Sequence, residues 1–196
     1  DTDRSRGLGD VYKRQQLGKL ASEMAGSPSD SLAVFAVAGS NTQTVEQGVR
    51  DLADFLHMLG NPVGVISAGN SQSLERFLDL NYPLSILDVQ RTMAVCAEDG
   101  AAAVILALSE ETLNDDALQS VNVDVLGCDD KGLSEAEIVK SVARFGCTVG
   151  KQTHIAGRTQ ESDALAAQAT EAYGQTDSSA LSSVSYTHLT LPTKRI

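Results

Sequence analysis

Residues 32–59 read LAVFAVAGSNTQTVEQGVRDLADFLHML. The stretch opens on an unbroken apolar run to Ala38, as expected of a strand buried on both faces of a parallel sheet. A tight polar turn follows at Gly39, Ser40, Asn41, Thr42 and Gln43. From Thr44 the period changes: Val45, Val49, Leu52, Leu56 and Leu59 recur at steps of three and four, the mark of an amphipathic helix. Gly60-Asn61-Pro62 stops it by lowering helix propensity and removing a backbone donor. A strand, a glycine-containing turn and a helix start form the setting in which backbone N–H groups and the helix dipole hold phosphate. Such a loop carries a lysine for the terminal phosphates and a Ser or Thr hydroxyl for Mg²⁺. Gly39, Ser40, Asn41 and Thr44 are in place here, whereas Thr42 and Gln43 stand where glycine and lysine are expected. Gln43 brings no charge, so the charge-assisted contact is lost. Thr42 restricts φ where glycine's freedom is ordinarily used. A plain strand-to-helix turn is the competing reading of the same residues.

Outward from this stretch, apolar strands alternate with helical patterns. Residues 16–25 suit a short helix and residues 26–31 a linker. Residues 63–67 (VGVIS) form a second strand, and residues 73–80 add a helical turn. Ser85 caps a helix carrying Ile86, Val89, Met93, Cys96 and Ala97 on one side. Residues 102–108 (AAVILAL) are the next strand, 110–118 a short helix, 121–126 another strand, and 133–145 a helix closed by Gly146. The alternation predicts a three-layer, P-loop-like α/β domain with a mainly parallel sheet and right-handed crossovers. Its ligand crevice is expected at the C-terminal ends of the two central strands, 32–38 and 102–108.

Composition narrows the classes of function. The formal charge is −11, and no Lys/Arg cluster lies between residues 16 and 183, which argues against a nucleic-acid partner. Aromatics make up 4% with no Trp, so stacking platforms for bases are not expected either. No apolar run reaches the roughly 18 residues that span a bilayer, and a cytoplasmic location is expected. Cys96, Cys128 and Cys147 are too widely spaced for a zinc site and read as reduced thiols.

The two ends have their own signature. Residues 5–15 (SRGLGDVYKRQ) read as the translation of a sequencing-library adapter, and residues 184–193 (VSYTHLTLPT) resemble the same adapter on the opposite strand. Residues 1–15 and 184–196 are therefore set aside from the fold. Residues 16–31 are expected to be an N-terminal helix and linker, 32–150 the central domain, and 151–183 a truncated, alanine-rich continuation with helical potential. On this reading the body of the chain is a fragment of a longer product.

The order of motifs resembles the start of the central, ATP-binding domain of the Mur ligase family. That family's loop reads G-[TS]-N-G-K-[TS] and is followed by a helix and a V-G-x-I-[GS] strand. Residues 85–91 (SILDVQR) are similar to its S-P-L-E-L-Q-R helix start. Residues 102–113 (AAVILALSEETL) are similar to T-A-V-V-M-E-V-S-S-H-A-L, and residues 122–126 (NVDVL) to D-V-A-V-F. The resemblance covers residues 31–128 and is nearest to the tripeptide synthetases, which add the third residue to UDP-MurNAc-dipeptide. It implies ATP and Mg²⁺ as cofactors, an acyl-phosphate route to an amide bond, and peptidoglycan-synthesis proteins as partners. The nucleotide would be held by Gly39, Ser40, Asn41, Thr42, Gln43 and Thr44.

Other family roles fall on unsuitable residues. The lysine position is Gln43, the Mg²⁺-binding glutamate falls on Ala107, and the histidine of S-S-H falls on Glu111. The substrate-contacting threonines fall near Tyr82 and Pro83. The asparagine after the later strand falls on Cys128, and the D-H-x-D-x-H stretch is replaced by Asp129-Asp130-Lys131-Gly132. No lysine near residues 134–137 suits carbamylation. The expectation is a fold kept with its ligase chemistry lost, leaving a binding or scaffolding role. Two alternatives stay open: an active ATP-dependent acid–amino-acid ligase with an atypical phosphate loop, and an unrelated small-molecule-binding α/β domain. The pair Glu110 and Glu111 is a candidate to rescue Mg²⁺ binding, against a solvated helix start as the competing reading. Among isolated candidates, His57 reads as a partly buried structural histidine. His154 lacks triad partners. Cys128 is expected to be unreactive, because Asp129 and Asp130 raise its pKa. Asp115, Asp116, Asp129 and Asp130 lack the spacing of a calcium loop.

Overall fold

The computed structural model describes residues 2–158, with side chains from Tyr12 onward. Seven strands form one sheet: β1 (Ala33–Ala38), β2 (Val63–Ile66), β3 (Gln72–Ser73), β4 (Arg76–Phe77), β5 (Ala103–Leu108), β6 (Val125–Lys131) and β7 (His154–Arg158). Their order across the sheet is β4-β3-β2-β5-β1-β6-β7, which puts β5 and β1 at the centre as expected. Pairing is parallel from β2 through β7, and only the small β2-β3-β4 edge is antiparallel. β1 and β5 run in register from Ala33 opposite Ala103 to Ala38 opposite Leu108, and all twelve of these residues are buried.

That double burial comes from helices on both faces. On one face α3 (Thr42–Met58) lays Val45, Val49, Leu52 and Leu56 against Phe35, Val37, Val65 and Ile105. On the other, Val34, Ala36, Leu106 and Leu126 meet Val89 and Met93 of α4 (Ile86–Glu98) and Ile138 and Val142 of α5 (Glu135–Val142). Side chains alternate along β1 between these two cores, as strand geometry requires. Ser85 and Ser134 each begin their helix with a reciprocal capping box, to Asp88 and Glu137.

Several sequence expectations are corrected. The N-terminal helix, α1 (Thr2–Met24), starts well before Gln16 and runs unbroken through residues 15 and 16. Within the expected linker, Pro28–Ser31 forms one helical turn, α2, opened by proline at its first position. Residues 73–80 hold the β3–β4 hairpin rather than a helical turn, because Gln72 pairs with Val65 and Ser73 with Gly64 at the open edge of β2. Residues 110–118 form successive turns instead of a helix, held by the Arg144 and Phe145 carbonyls, which accept from the N–H groups of Asp116 and Leu118. The strand expected at 121–126 begins at Val125 and continues to Lys131, and β7 was not foreseen. Residues 135–145 are helical as expected, ending in a 3₁₀ turn with Gly146 left-handed at φ 76°. The helix expected within the alanine-rich residues 160–173 lies outside the described residues.

Candidate functional site

Chain connections locate the crevice. The segment leaving β1 crosses to β2 on one side, while the segment leaving β6 passes through α5 to β7 on the other. The sheet therefore has its switch point between the C-terminal ends of β1 and β6, where open α/β sheets receive ligands.

Gly39 to Thr44 sit at this point. α3 starts at Thr42, two residues before the expected Thr44, and Asn41 is its N-cap. The Asn41 side chain accepts from the Gln43 N–H at 2.8 Å, satisfying one donor of the first turn. The hydroxyl of Thr44, which a phosphate loop would offer to Mg²⁺, donates to the Asn41 carbonyl at 2.9 Å. Thr42 has helical backbone, so this loop makes no demand for a left-handed residue and threonine is unstrained there. Gly39 is needed for close approach: a Cβ on it would lie 3.1 Å from Val45 Cγ2 and 3.7 Å from the Asp129 side chain.

Across the crevice, Asp130 Oδ1 accepts from both the Ser40 N–H, at 3.0 Å, and the Ser40 hydroxyl, at 2.7 Å. One carboxylate oxygen thus meets both donors of Ser40. Its neighbour Asp129 pairs with Arg158 of β7 at 3.1 Å, where the β6–β7 register shifts between Cys128 and Lys131. The irregularity and the ion pair both lie at the end of β6 beside the loop.

A second polar cluster closes the C-terminal ends of β2 and β5. Glu46 of α3, 9% exposed, accepts from the Ser67 hydroxyl and from the Gly69 N–H at 3.3 Å. Ser71 Oγ accepts from the Ser67 N–H at 2.9 Å and from the Tyr82 hydroxyl at 2.5 Å. Burial, ahead of the charges of Glu46 and Asp79, pushes the Tyr82 phenol up despite that bond. Fully buried Thr112 accepts from the Ala68 N–H at 3.0 Å and from the Ser109 hydroxyl at 2.9 Å. Every donor named in this cluster meets an acceptor within the fold.

The remaining sequence candidates do not join the crevice as a catalytic set. Ala107 is fully buried opposite Val37 and offers no ligand atom. Glu110 is paired with Arg144, which also holds Asp115 at 2.9 Å, and Glu111 is exposed. Among the described residues, no three His, Cys, Asp or Glu side chains converge as a metal-binding set. His57 is exposed near the end of α3, not partly buried, because its position falls outside the apolar stripe. His154 is exposed at the start of β7. The Cys128 thiol is pushed up as expected, but burial is the leading cause and the charges of Asp130 and Asp129 are secondary. A cleft lined by Arg14, Glu110, Leu113, Asn114, Asp115 and Arg144 includes none of the loop residues. No described helix is long and apolar enough to cross a membrane.

Sequence reasoning passed over Asp130 as an occupant of the loop and Glu46 as a buried anchor. Glu46 had a signal, since it lies three and seven residues before Val49 and Ala53 on the apolar side of α3. Asp130 had only its place directly after an apolar strand.

No protein-family model matches the chain. Over 146 residues, 74% of its length, it is 27% identical to the UDP-N-acetylmuramoyl-L-alanyl-D-glutamate–2,6-diaminopimelate ligase of Xanthomonas campestris pv. campestris (strain 8004). Over 114 residues, 57% of its length, it is 28% identical to the enzyme of the same name from Xanthomonas oryzae pv. oryzae (strain MAFF 311018). The matches span 29% and 22% of those relatives, so the chain corresponds to less than a third of either. Taken with the motif order of residues 31–128, this distant similarity supports a relationship to the Mur ligase family.

Proposed function

We propose that the chain is a Mur-ligase-like segment that keeps the fold of an ATP-binding domain, has lost the ligase chemistry, and serves a binding or scaffolding role in peptidoglycan synthesis. The observation that carries this reading is the state of the loop. The position of the phosphate-binding lysine is Gln43, and the donors of Ser40 are taken by a carboxylate of the same chain. Phosphoryl transfer depends on cations and Mg²⁺ around the transferring group. Here two aspartates border the crevice, and the Mg²⁺-ligand position is the buried Ala107. Losing one well-placed donor costs roughly 3–4 kcal/mol of transition-state stabilisation, and this crevice departs from the family pattern at several positions together.

The unrelated-domain alternative expected a loop that does not lead into a helix N-terminus, and Asn41 capping α3 speaks against it. For the active-ligase alternative, a rescue of Mg²⁺ binding by Glu110 and Glu111 is disfavoured because Glu110 is engaged by Arg144. Calorimetric titration of the chain with ATP, with and without Mg²⁺, tests the proposal. Binding no tighter than millimolar and indifferent to Mg²⁺ is expected. Saturable, Mg²⁺-dependent binding in the micromolar range accompanied by steady ADP release from the intact gene product, both abolished by Thr44→Ala, would overturn it in favour of the active ligase.

A further inference from the structure

We propose that Asp130 is a built-in occupant of the loop's anion position, an autoinhibitory contact that keeps phosphate groups off Ser40. The inference rests on the reading of residues 39–44 as a phosphate-type loop. Three independent features carry it. First, both Ser40 donors, the N–H at 3.0 Å and the hydroxyl at 2.7 Å, converge on the single oxygen Asp130 Oδ1. Two donors on one anionic oxygen is the pattern a phosphate oxygen receives at such a turn. Second, the contact spans β1 and β6, the pair of strands whose outgoing connections diverge, so it closes the crevice itself. Third, its placement is enforced from behind, because the register shift after Cys128 and the Asp129–Arg158 pair hold the β6 end against Gly39.

A tethered carboxylate competes at an effective concentration on the order of millimolar. A free polyphosphate must therefore displace a partner already in place and also approach two negative side chains. Removing the Asp130 carboxylate lifts the competition and one of the two charges, while Ser40, Asn41 and the α3 N-terminus remain as built.

The test uses the whole chain, sodium tripolyphosphate without metal as the probe, and amide hydrogen exchange at Ser40 followed by NMR. In Asp130→Ala the Ser40 N–H is expected to exchange at least tenfold faster, with the amides of Phe35 and Val37 unchanged. Tripolyphosphate is expected to bind at least tenfold more tightly than to the unaltered chain. Asp130→Asn, which keeps the shape and an acceptor but not the charge, should gain an intermediate amount, and it carries the test if the alanine variant does not fold. Unchanged Ser40 exchange in the variants would overturn the inference and leave the phosphate-loop reading standing. So would tripolyphosphate binding as tightly to the unaltered chain as to the variants. Faster exchange with no tripolyphosphate binding by any form would overturn the phosphate-loop reading, and the inference with it.

Discussion

β1 and β5 are neighbours of equal length, in register and fully buried, yet their C-terminal ends are finished in different ways. Beyond β5, Ser109 and Thr112 are buried and bond to each other, and Thr112 also accepts from the Ala68 N–H, closing the edge against β2. Beyond β1, Ser40 is exposed and its donors are met by one carboxylate from across the crevice. The first arrangement can be lost only by leaving buried polar groups unpaired, whereas water can replace every partner in the second. The C-terminal end of β5 is thus a structural polar network, and that of β1 a surface contact that a competing ligand or water can displace.

The comparison breaks most severely where its shared foundation is removed. Leu106 lies at the centre of β5 with no exposed surface, opposite Ala36 of β1. Leu106→Ala should cost about 2–5 kcal/mol through lost transfer energy and a residual cavity. Urea unfolding should show both strand ends lost in one transition, and a loss below 1 kcal/mol would mean that the two faces do not share a cooperative core. Next in size is Thr112→Val, which keeps the volume but strips the Ala68 N–H and the Ser109 hydroxyl of their acceptor. The expected cost is about 1–3 kcal/mol by the same measurement. At the other end, Asp130→Ala should stay within about 0.5 kcal/mol, the range of surface substitutions away from buried features. If Asp130→Ala proves as costly as Thr112→Val, the crevice contact is structural and the contrast between the two ends collapses.

The sequence showed the scaffold more clearly than the site because the two are encoded differently. The apolar run 32–38, the three-and-four spacing of Val45, Val49, Leu52 and Leu56, and the Ser85 cap are local patterns, and each matches the structure. Failures occurred where a distant partner decides the outcome. Residues 110–118 carry helix-compatible residues, but the Arg144 and Phe145 carbonyls draw the Asp116 and Leu118 N–H groups into turns. Residues 72–77 are strands only because β2 has an open edge to pair with. The turn between β1 and α3 was legible as a loop, and the uncharged Gln43 in it could be read directly. Its occupant could not, since Asp130 is 90 residues from Ser40 and meets it only through the strand order.

The smallest expected effect probes the charge in the crevice. Cys128 precedes Asp129 and Asp130 on β6, and its thiol is raised by burial, then by the charges of Asp130 and Asp129, with a backbone hydrogen bond at Asp130 acting in the opposite direction. Asp130→Asn removes one of those charges and leaves burial and backbone in place, so the thiol should move only part of the way back toward an ordinary cysteine value. Cys96 is an internal standard: it lies on α4 against Gly64, far along the sheet, with its thiol pushed up to about 11 mainly by burial. A raised folded-state value contributes stability fully below the unfolded thiol's value of about 8.5 and loses it as pH rises toward the folded one. Stability should therefore decline from about pH 8.5 to about pH 11 with Cys96 present, and this decline should lessen in Cys96→Ala. Following the ¹³Cβ shifts of labelled cysteine by NMR against pH, a readout that needs no reagent to reach these buried thiols, should place the Cys128 midpoint lower in Asp130→Asn than in the unaltered chain, while the Cys96 midpoint stays fixed. A Cys128 midpoint unmoved by the substitution would mean that the Asp130 charge is spent on solvent rather than on the crevice, and that the end of β6 does not hold its carboxylate over the loop.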